Sequence, residues 1–230
     1  MAGETARCEA IVLRITPWSR TSHIVRFLTP RGILVAVIKG AVRPKSFFLG
    51  QYDLNYTCEI VHYLGGAGEL RALRECRPLK ERDALRGDWR RLLLADHFRA
   101  LAETLAPAGD EAAGWFDLLD RALDALETGT DPSDGIGGKA GILAELLDFE
   151  MKSLALAGIS PDIAESGGSF ELRGERRIKV SAEVARCLRE PKAEKNLQIL
   201  LDAARVIGVF YTFHLDYPLE GRRAVIKSIS

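Results

Sequence analysis

The sequence predicts an α+β chain, with a five-stranded barrel over residues 1–80 and an α-helical bundle over residues 81–230. Three observations lead there. Short runs of β-branched and apolar residues fill positions 8–77, separated by glycine and proline turn signals, and none is long enough for the helix of a βαβ unit. After Pro78 the apolar residues recur instead at intervals of three and four. The charge changes sign at the same place: residues 1–80 hold 12 basic and 6 acidic side chains, residues 81–160 hold 8 and 16.

The strands are expected at 10–15, 24–28, 33–39, 52–64 and 69–77. Pro17 to Ser22 breaks the first from the second. Thr29-Pro30-Arg31-Gly32 is a turn, because proline fixes φ and glycine accepts a positive one. Residues 40–50 read as a loop and 65–68 as a hairpin connection, which together suggest a small antiparallel barrel. Leu94, Phe98, Leu101 and Leu105 then line one helical face, with Asp88 as N-cap and Pro107 and Gly109 beyond the end. Trp115, Leu118, Leu119, Ala122 and Leu126 form a second stripe, and residues 128–138 a polar loop. Leu143, Leu146, Leu147, Met151 and Leu154 form a third, closed by Gly158. Leu197, Leu200, Leu201, Ala204, Tyr211 and Leu215 form a fourth. Such stripes pack together as a bundle. Between the third and fourth, residues 160–180 are an irregular insert, with a small hairpin about Gly174.

A chain of 230 residues, 47% apolar and 28% charged, has enough apolar material for a sizeable core. Cys8, Cys58, Cys76 and Cys187 form no C-x-x-C pair, so no zinc ribbon or redox pair is encoded locally. The first three fall in strands, where a small buried thiol is expected. The first ten residues have no apolar run of a secretory signal, and no segment approaches the ~20 apolar residues of a membrane helix. A soluble, cytoplasmic protein is the expectation.

The net charge of zero hides a segregation. From Arg7 to Gly50 there are eight basic residues and one acid, Glu9. Clustered Lys and Arg on a neutral protein suggest a polyanion site, since they neutralise phosphates and release counterions. Lys39, Arg43 and Lys45 rank first because they share one loop with glycine and proline. Arg14, Arg20, Arg26 and Arg31 follow. Trp18 in the first connection, and Phe47 or Phe48 after Lys45, are candidates for stacking on bases. Trp89 and Trp115 are expected in the core.

Other motifs carry less. Gly135-Ile136-Gly137-Gly138-Lys139-Ala140 lacks a preceding strand, and Ala140 and Ser133 stand where a phosphate-binding loop needs Ser or Thr and Gly. His23, His62, His97 and His214 show neither ligand spacing nor a nucleophile motif. Asp117, Asp120 and Asp124 at helical spacing read as a solvated acidic face that repels DNA.

The chain resembles the RecO family of bacterial recombination mediators. The residues that carry the resemblance are Ile11-Val12-Leu13, Thr21-Ser22-x-Ile24-Val25, Leu28-Thr29-Pro30-x-Gly32 and Lys39-Gly40-Ala41-x-Arg43-x-Lys45-Ser46. Leu70 to Glu75 with Pro78-Leu79 follow, and Tyr211 to Leu215 with Pro218-Leu219-x-x-Arg222-Arg223 close the series. The resemblance implies an N-terminal OB-fold barrel and a C-terminal helical domain. It implies a protein of DNA repair and recombination that binds single- and double-stranded DNA, anneals complementary strands, and with RecR and the single-strand binding protein SSB helps load RecA. It implies no nucleotide hydrolysis, no other catalysis, and a nucleoid-associated location.

Two departures stand out. Many relatives carry a four-cysteine zinc site where residues 160–180 of this chain have no cysteine, so no zinc or other cofactor is expected. Relatives often have Gly-Glu before Thr-Ser in the first connection, where Ser19-Arg20 stands here. The acidic tail of SSB requires an apolar groove with a basic rim, for which Arg121, Lys152 and Arg205 of the helical domain are candidates. From the residues alone two other readings stay open: an enzyme that holds a phosphorylated small molecule on the basic loop, and an adaptor whose barrel binds protein.

Overall fold

A computed structural model describes residues 4–64, 70–128, 138–166, 169–173, 177–214 and 220–229. Five strands form the N-terminal part: β1 (Thr5–Pro17), β2 (His23–Thr29), β3 (Gly32–Ile38), β4 (Thr57–Tyr63) and β5 (Leu70–Lys80). They close a barrel in the order β1-β2-β3-β5-β4. Four ladders are antiparallel, whereas β3 and β5 run parallel through Val35–Leu70, Ala36–Arg71 and Val37–Ala72. An all-antiparallel barrel was the expectation; the parallel pair arises because the long 39–56 connection carries the chain across before β4 and β5 form their hairpin.

Strand β1 is long because it serves two partners. Thr5 to Ile11 pair with β4, and Ile11 to Pro17 pair with β2. Leu13 is the extra residue of a bulge, since Val12 faces Phe27 and Arg14 faces Arg26. A bulge leaves backbone groups outside the ladder. Here the buried Arg99 guanidinium donates to the Leu13 carbonyl. The barrel interior is filled by Ala10, Val12, Val25, Phe27, Ala36, Ile38, Ile60 and their neighbours. Cys58 and Cys76 belong to this core, as small thiols in strands should, and both donate to the Gln51 carbonyl. Gly32 is required at its turn. Its φ is +111°, and a Cβ there would stand 3.0 Å from the Pro107 carbonyl oxygen.

The helices are α1 (Trp89–Leu105), α2 (Ala112–Thr128), α3 (Lys139–Leu156), α4 (Ala182–Arg189), α5 (Leu197–His214) and α6 (Glu220–Ile229). Asp88 caps α1 by accepting from the Arg90 amide at 2.9 Å. Gly158, at φ +72°, ends α3 with Gly158 N–H to Ala155 and Ile159 N–H to Leu154, the paired bonds of a Schellman motif. Strands β6 (Asp162–Ser166), β7 (Ser169–Arg173) and β8 (Arg177–Val180) make a three-stranded antiparallel sheet, one strand more than the expected hairpin. Ser181 caps α4 through the Val184 amide. The expected features at 65–68, 129–137, 174–176 and 215–219 lie outside the described residues. Among the described residues no helix is long and apolar enough to cross a membrane.

Two compact units result: Met1–Asp83 with Arg99–Asp124, and Ala84–Phe98 with Ala125–Ser230. Each is held by a buried ionic cluster. In the first, Arg82 is held at φ +54° with a fully buried side chain. It bonds Asp124 Oδ1 (2.8 Å), Asp120 Oδ1 (2.5 Å), Thr57 Oγ1 (2.9 Å) and the Asn55 carbonyl (2.7 Å). Lys80 reaches the same two aspartates at 2.5 and 2.7 Å. The face carrying Asp120 and Asp124 is therefore not the solvated acidic face expected; only Asp117 is exposed. Burial raises the Asp120 carboxyl, but Lys80, Thr57 and Arg82 outweigh it and hold the group below its ordinary value.

In the second unit Glu150 is wholly buried. It accepts from Arg222 Nε (2.7 Å) and Nη2 (3.2 Å) and pairs with His97 Nε2 (2.9 Å). Arg222 Nη2 also donates to the Ala204 carbonyl, so one cluster joins α1, α3, α5 and α6. Phe98 stacks on Phe149 beside it, centroids 4.0 Å apart. Gly208 leaves the room: a Cβ there would lie 2.8 Å from Arg222 Nη1. Trp115 is buried as expected, but Trp89 is exposed. Trp89 opens α1 and stacks under the Arg90 guanidinium at 4.8 Å.

Arg82→Ala leaves Asp120 and Asp124 with Lys80 and takes the donor from the Asn55 carbonyl, and is expected to cost about 1–3 kcal/mol, measured by urea denaturation. Burial raises the Glu150 carboxyl, but Arg222 and His97 hold it below its ordinary value. Its contribution is thus present above the usual carboxylate pKa of ~4.3 and fades as pH falls through the depressed folded value. Unfolding midpoints from pH 7 down to pH 3 are expected to fall less steeply in Glu150→Gln than in the parent, from a lower starting stability.

Candidate nucleic-acid interface

The hairpin registers place two connections at one end of the barrel. Pro17 faces His23 and His23 faces Ile38, so the β1–β2 connection and the segment leaving β3 emerge together. They are tied directly. The Val42 amide donates to the Thr21 carbonyl at 3.3 Å, and the Gly40 amide to the buried Ser22 hydroxyl at 3.3 Å. Within the first connection, the Trp18 amide donates to Ser22 O at 2.9 Å.

The second connection is a chain of tight turns: Arg43 to Gly40, Ser46 to Arg43, Leu49 to Ser46 and Gln51 to Phe48. Gly40 and Gly50 supply the positive φ it needs, at +69° and +75°. Apolar anchors hold it down. Ala41 is buried in the barrel core, and Phe48 and Tyr52 pack against that core. The Tyr52 hydroxyl pairs with His23 Nδ1 at 2.8 Å, and burial pushes it well above its usual pKa, so it stays protonated.

The anchors leave the alternate side chains outside. Lys39, Arg43 and Lys45 are exposed, as is Arg20 in the adjoining connection. The Arg43 stem lies over Gly40, whose Cβ would meet it at 3.3 Å. Phe47 is 96% exposed and Trp18 64%, whereas Phe48 is an anchor. The pair of phenylalanines that the sequence left equivalent is thereby divided. Val42 and Leu49 are exposed as well, and sequence reasoning missed both. Their signal was an apolar residue between turn residues, which reads equally as an anchor. No acid occurs between Glu9 and Asp53, so this end of the barrel carries unopposed charge along its own chain.

The other basic candidates lie elsewhere. Arg14 and Arg26 are cross-strand neighbours, and both reach Glu103, at 3.0 and 2.5 Å. Arg31 sits on the turn at the opposite end of the β2–β3 hairpin, where its carbonyl accepts from the Gly109 amide. Arg121 is exposed on α2 in the barrel unit, while Lys152 and Arg205 belong to the other unit. Lys152 pairs with Asp148 at 2.8 Å and Arg205 with Asp202 at 2.6 Å, each on its own helix. The structure thus brings together Trp18, Arg20, Lys39, Arg43 and Lys45, and not the remaining six. Among the described residues no three His, Cys, Asp or Glu side chains gather as a metal-binding group.

Comparison with known proteins agrees along most of the chain. Residues 1–82 match the family model described as Recombination protein O N terminal, and residues 86–197 match Recombination protein O C terminal. A curated protein of Rhodopirellula baltica named DNA repair protein RecO is 34% identical over 153 residues, covering 66% of this chain and 53% of that one. A protein of the same name from Nitratidesulfovibrio vulgaris is 34% identical over 112 residues, 48% of this chain and 44% of its own. Another, from Listeria monocytogenes, is 24% identical over 215 residues, 91% of this chain and 78% of its own. The chain spans about half the length of the first two of these relatives. With a five-stranded barrel leading into helices and both family models matched in order, the chain belongs to the recombination protein O family.

Proposed function

We propose that this protein is a DNA-binding mediator of recombination and repair whose barrel end grips a nucleic-acid strand. The observation that carries the reading is the tied pair of connections. It presents Arg20, Lys39, Arg43 and Lys45 around the exposed rings of Trp18 and Phe47, on a backbone pinned from beneath by Ala41, Phe48 and Tyr52. Cations that track phosphates beside rings that stack bases are the composition of single-strand sites. Arg adds a fork that meets a phosphate through two bonds. Duplex DNA engages the same cations through its phosphates alone.

Annealing follows from charge. Two complementary strands repel, and a loop that neutralises their phosphates lowers that repulsion without reading sequence. No step requires a nucleotide, a metal or a covalent intermediate. The family and the names of the relatives support a place in DNA repair, with RecR, the SSB tail and, through them, RecA as the partners of this reading.

The triple variant Lys39→Ala, Arg43→Ala, Lys45→Ala is expected to bind an unstructured oligonucleotide more weakly at all sequences. Its slope of log affinity against log salt should shrink by roughly 1 for each phosphate that is no longer neutralised, read by fluorescence anisotropy at several salt concentrations. Unchanged affinity and slope would remove the loop from the site. Phe47→Ala is expected to weaken single-strand binding by about 1–3 kcal/mol with an unaltered salt slope, because a stacking ring carries no charge. The same titration, repeated on duplex, should show little change.

A further inference from the structure

Away from the tied loops the barrel wall has a gap. Thr5 to Ala10 of β1 pair with β4 on one side, while the pairing with β2 begins only at Ile11. Among the described residues this edge of β1 therefore has no strand beside it. It borders one cleft of about 790 Å³, reached by Ala6, Arg7 and Cys8 from β1 and by residues 32–35 from β3. On such an edge every second residue turns its N–H and C=O outward. A free edge is ordinarily blunted or covered, because it is a template for another strand.

The cleft is strongly basic. Arg7, Arg26, Arg31 and Arg71 all line it, and among the described residues no Asp or Glu does. Two carboxylates answer them from outside: Glu59 meets Arg7 at 3.1 Å, and Glu103 meets Arg26 at 2.5 Å. Arg71 donates to the Leu64 carbonyl at 3.1 Å, and Arg31 is exposed. The floor is aliphatic, with Ile33, Leu34 and Val35, and among the described residues the lining holds no Phe, Tyr or Trp. This is the reverse of the tied loops, which offer rings and cations but no strand edge.

We propose that this cleft docks an extended acidic peptide segment of a partner protein, added as a strand to the free edge of β1. The edge supplies main-chain hydrogen bonds, the aliphatic floor takes the apolar side chains of one face, and the arginines take the carboxylates. Nucleic acid is the poorer occupant, because it has no backbone amide pattern to match the edge.

A fluorescein-labelled seven-residue peptide of alternating Asp and Val tests this on the whole chain. Two further probes are the same peptide N-methylated at its valines and an unlabelled dT20 oligonucleotide. The proposal expects saturable peptide binding, at least 10-fold weaker for the N-methylated form. It expects at least 10-fold weakening in the Arg7→Glu, Arg71→Glu variant, and amide shift changes confined to Ala6–Ala10 and Gly32–Val35. Binding should survive the Lys39→Ala, Arg43→Ala, Lys45→Ala change, so this proposal and the DNA reading fail separately. No saturable binding, equal binding of the N-methylated peptide, or shift changes confined to other residues would overturn it. So would displacement of the peptide by dT20 together with loss of dT20 binding in the Arg7→Glu, Arg71→Glu variant, which would make the cleft a nucleic-acid path. Comparing the two peptides on the parent chain keeps the test decisive even where the double variant does not fold.

Discussion

Closure of the barrel is the constraint from which the candidate site follows. A strand that pairs with two partners must be long and must bend, and β1 does so at Leu13, whose carbonyl is met by the buried Arg99. With β1, β2 and β3 joined by successive antiparallel ladders, the β1–β2 connection and the exit of β3 have only one end at which to lie. The long crossing from β3 to β4 then passes over that end, and Ala41, Phe48 and Tyr52 fasten it to the core. Between fastened points, side chains on the other side of the backbone are driven into solvent. That is how a loop comes to display Arg43, Lys45 and a phenylalanine that is almost fully exposed.

Charge is arranged by the same logic. Three acids of the middle of the chain are held within the two units, Asp120 and Asp124 on Arg82 and Lys80 in one and Glu150 on Arg222 and His97 in the other. Among the described residues, Arg20, Lys39, Arg43 and Lys45 have no acidic partner of this kind. Such pairs remove both signs equally, so in a neutral chain the acids that balance the positive end lie exposed elsewhere, Asp110, Glu111 and Asp117 among them. Surface ion pairs contribute little energy and are screened by salt, but a buried pair that loses one member is costly. The clusters are therefore fixed elements, and the loop cations are the groups left for a partner.

Most of the strands and the long helices were legible because their periods are clean: Leu143, Leu146, Leu147 and Leu154 are all buried as the stripe requires. Short elements were not. α4 has eight residues and four buried side chains, and α6 buries Arg222 beside Val225 and Ile229, so neither shows an apolar run. Asp120 and Asp124 looked solvated because their partners, Lys80 and Arg82, stand about forty positions earlier. Trp89 looked like core because it sits at the start of an apolar stripe, but a first-turn residue projects beyond the packed face. The loop cations were legible from composition, while their division from Arg14, Arg26 and Arg31 depends on strand register, which no local pattern reveals.

Hydrogen exchange of the whole protein, read by mass spectrometry with and without a saturating unstructured oligonucleotide at low salt, tests the central claim most directly. The account predicts new protection in the segments holding Trp18–Ser22 and Lys39–Gln51, reversed by high salt, with α3 and α5 unchanged. Protection confined to the helices, with those two segments exchanging as in the free protein, would contradict it.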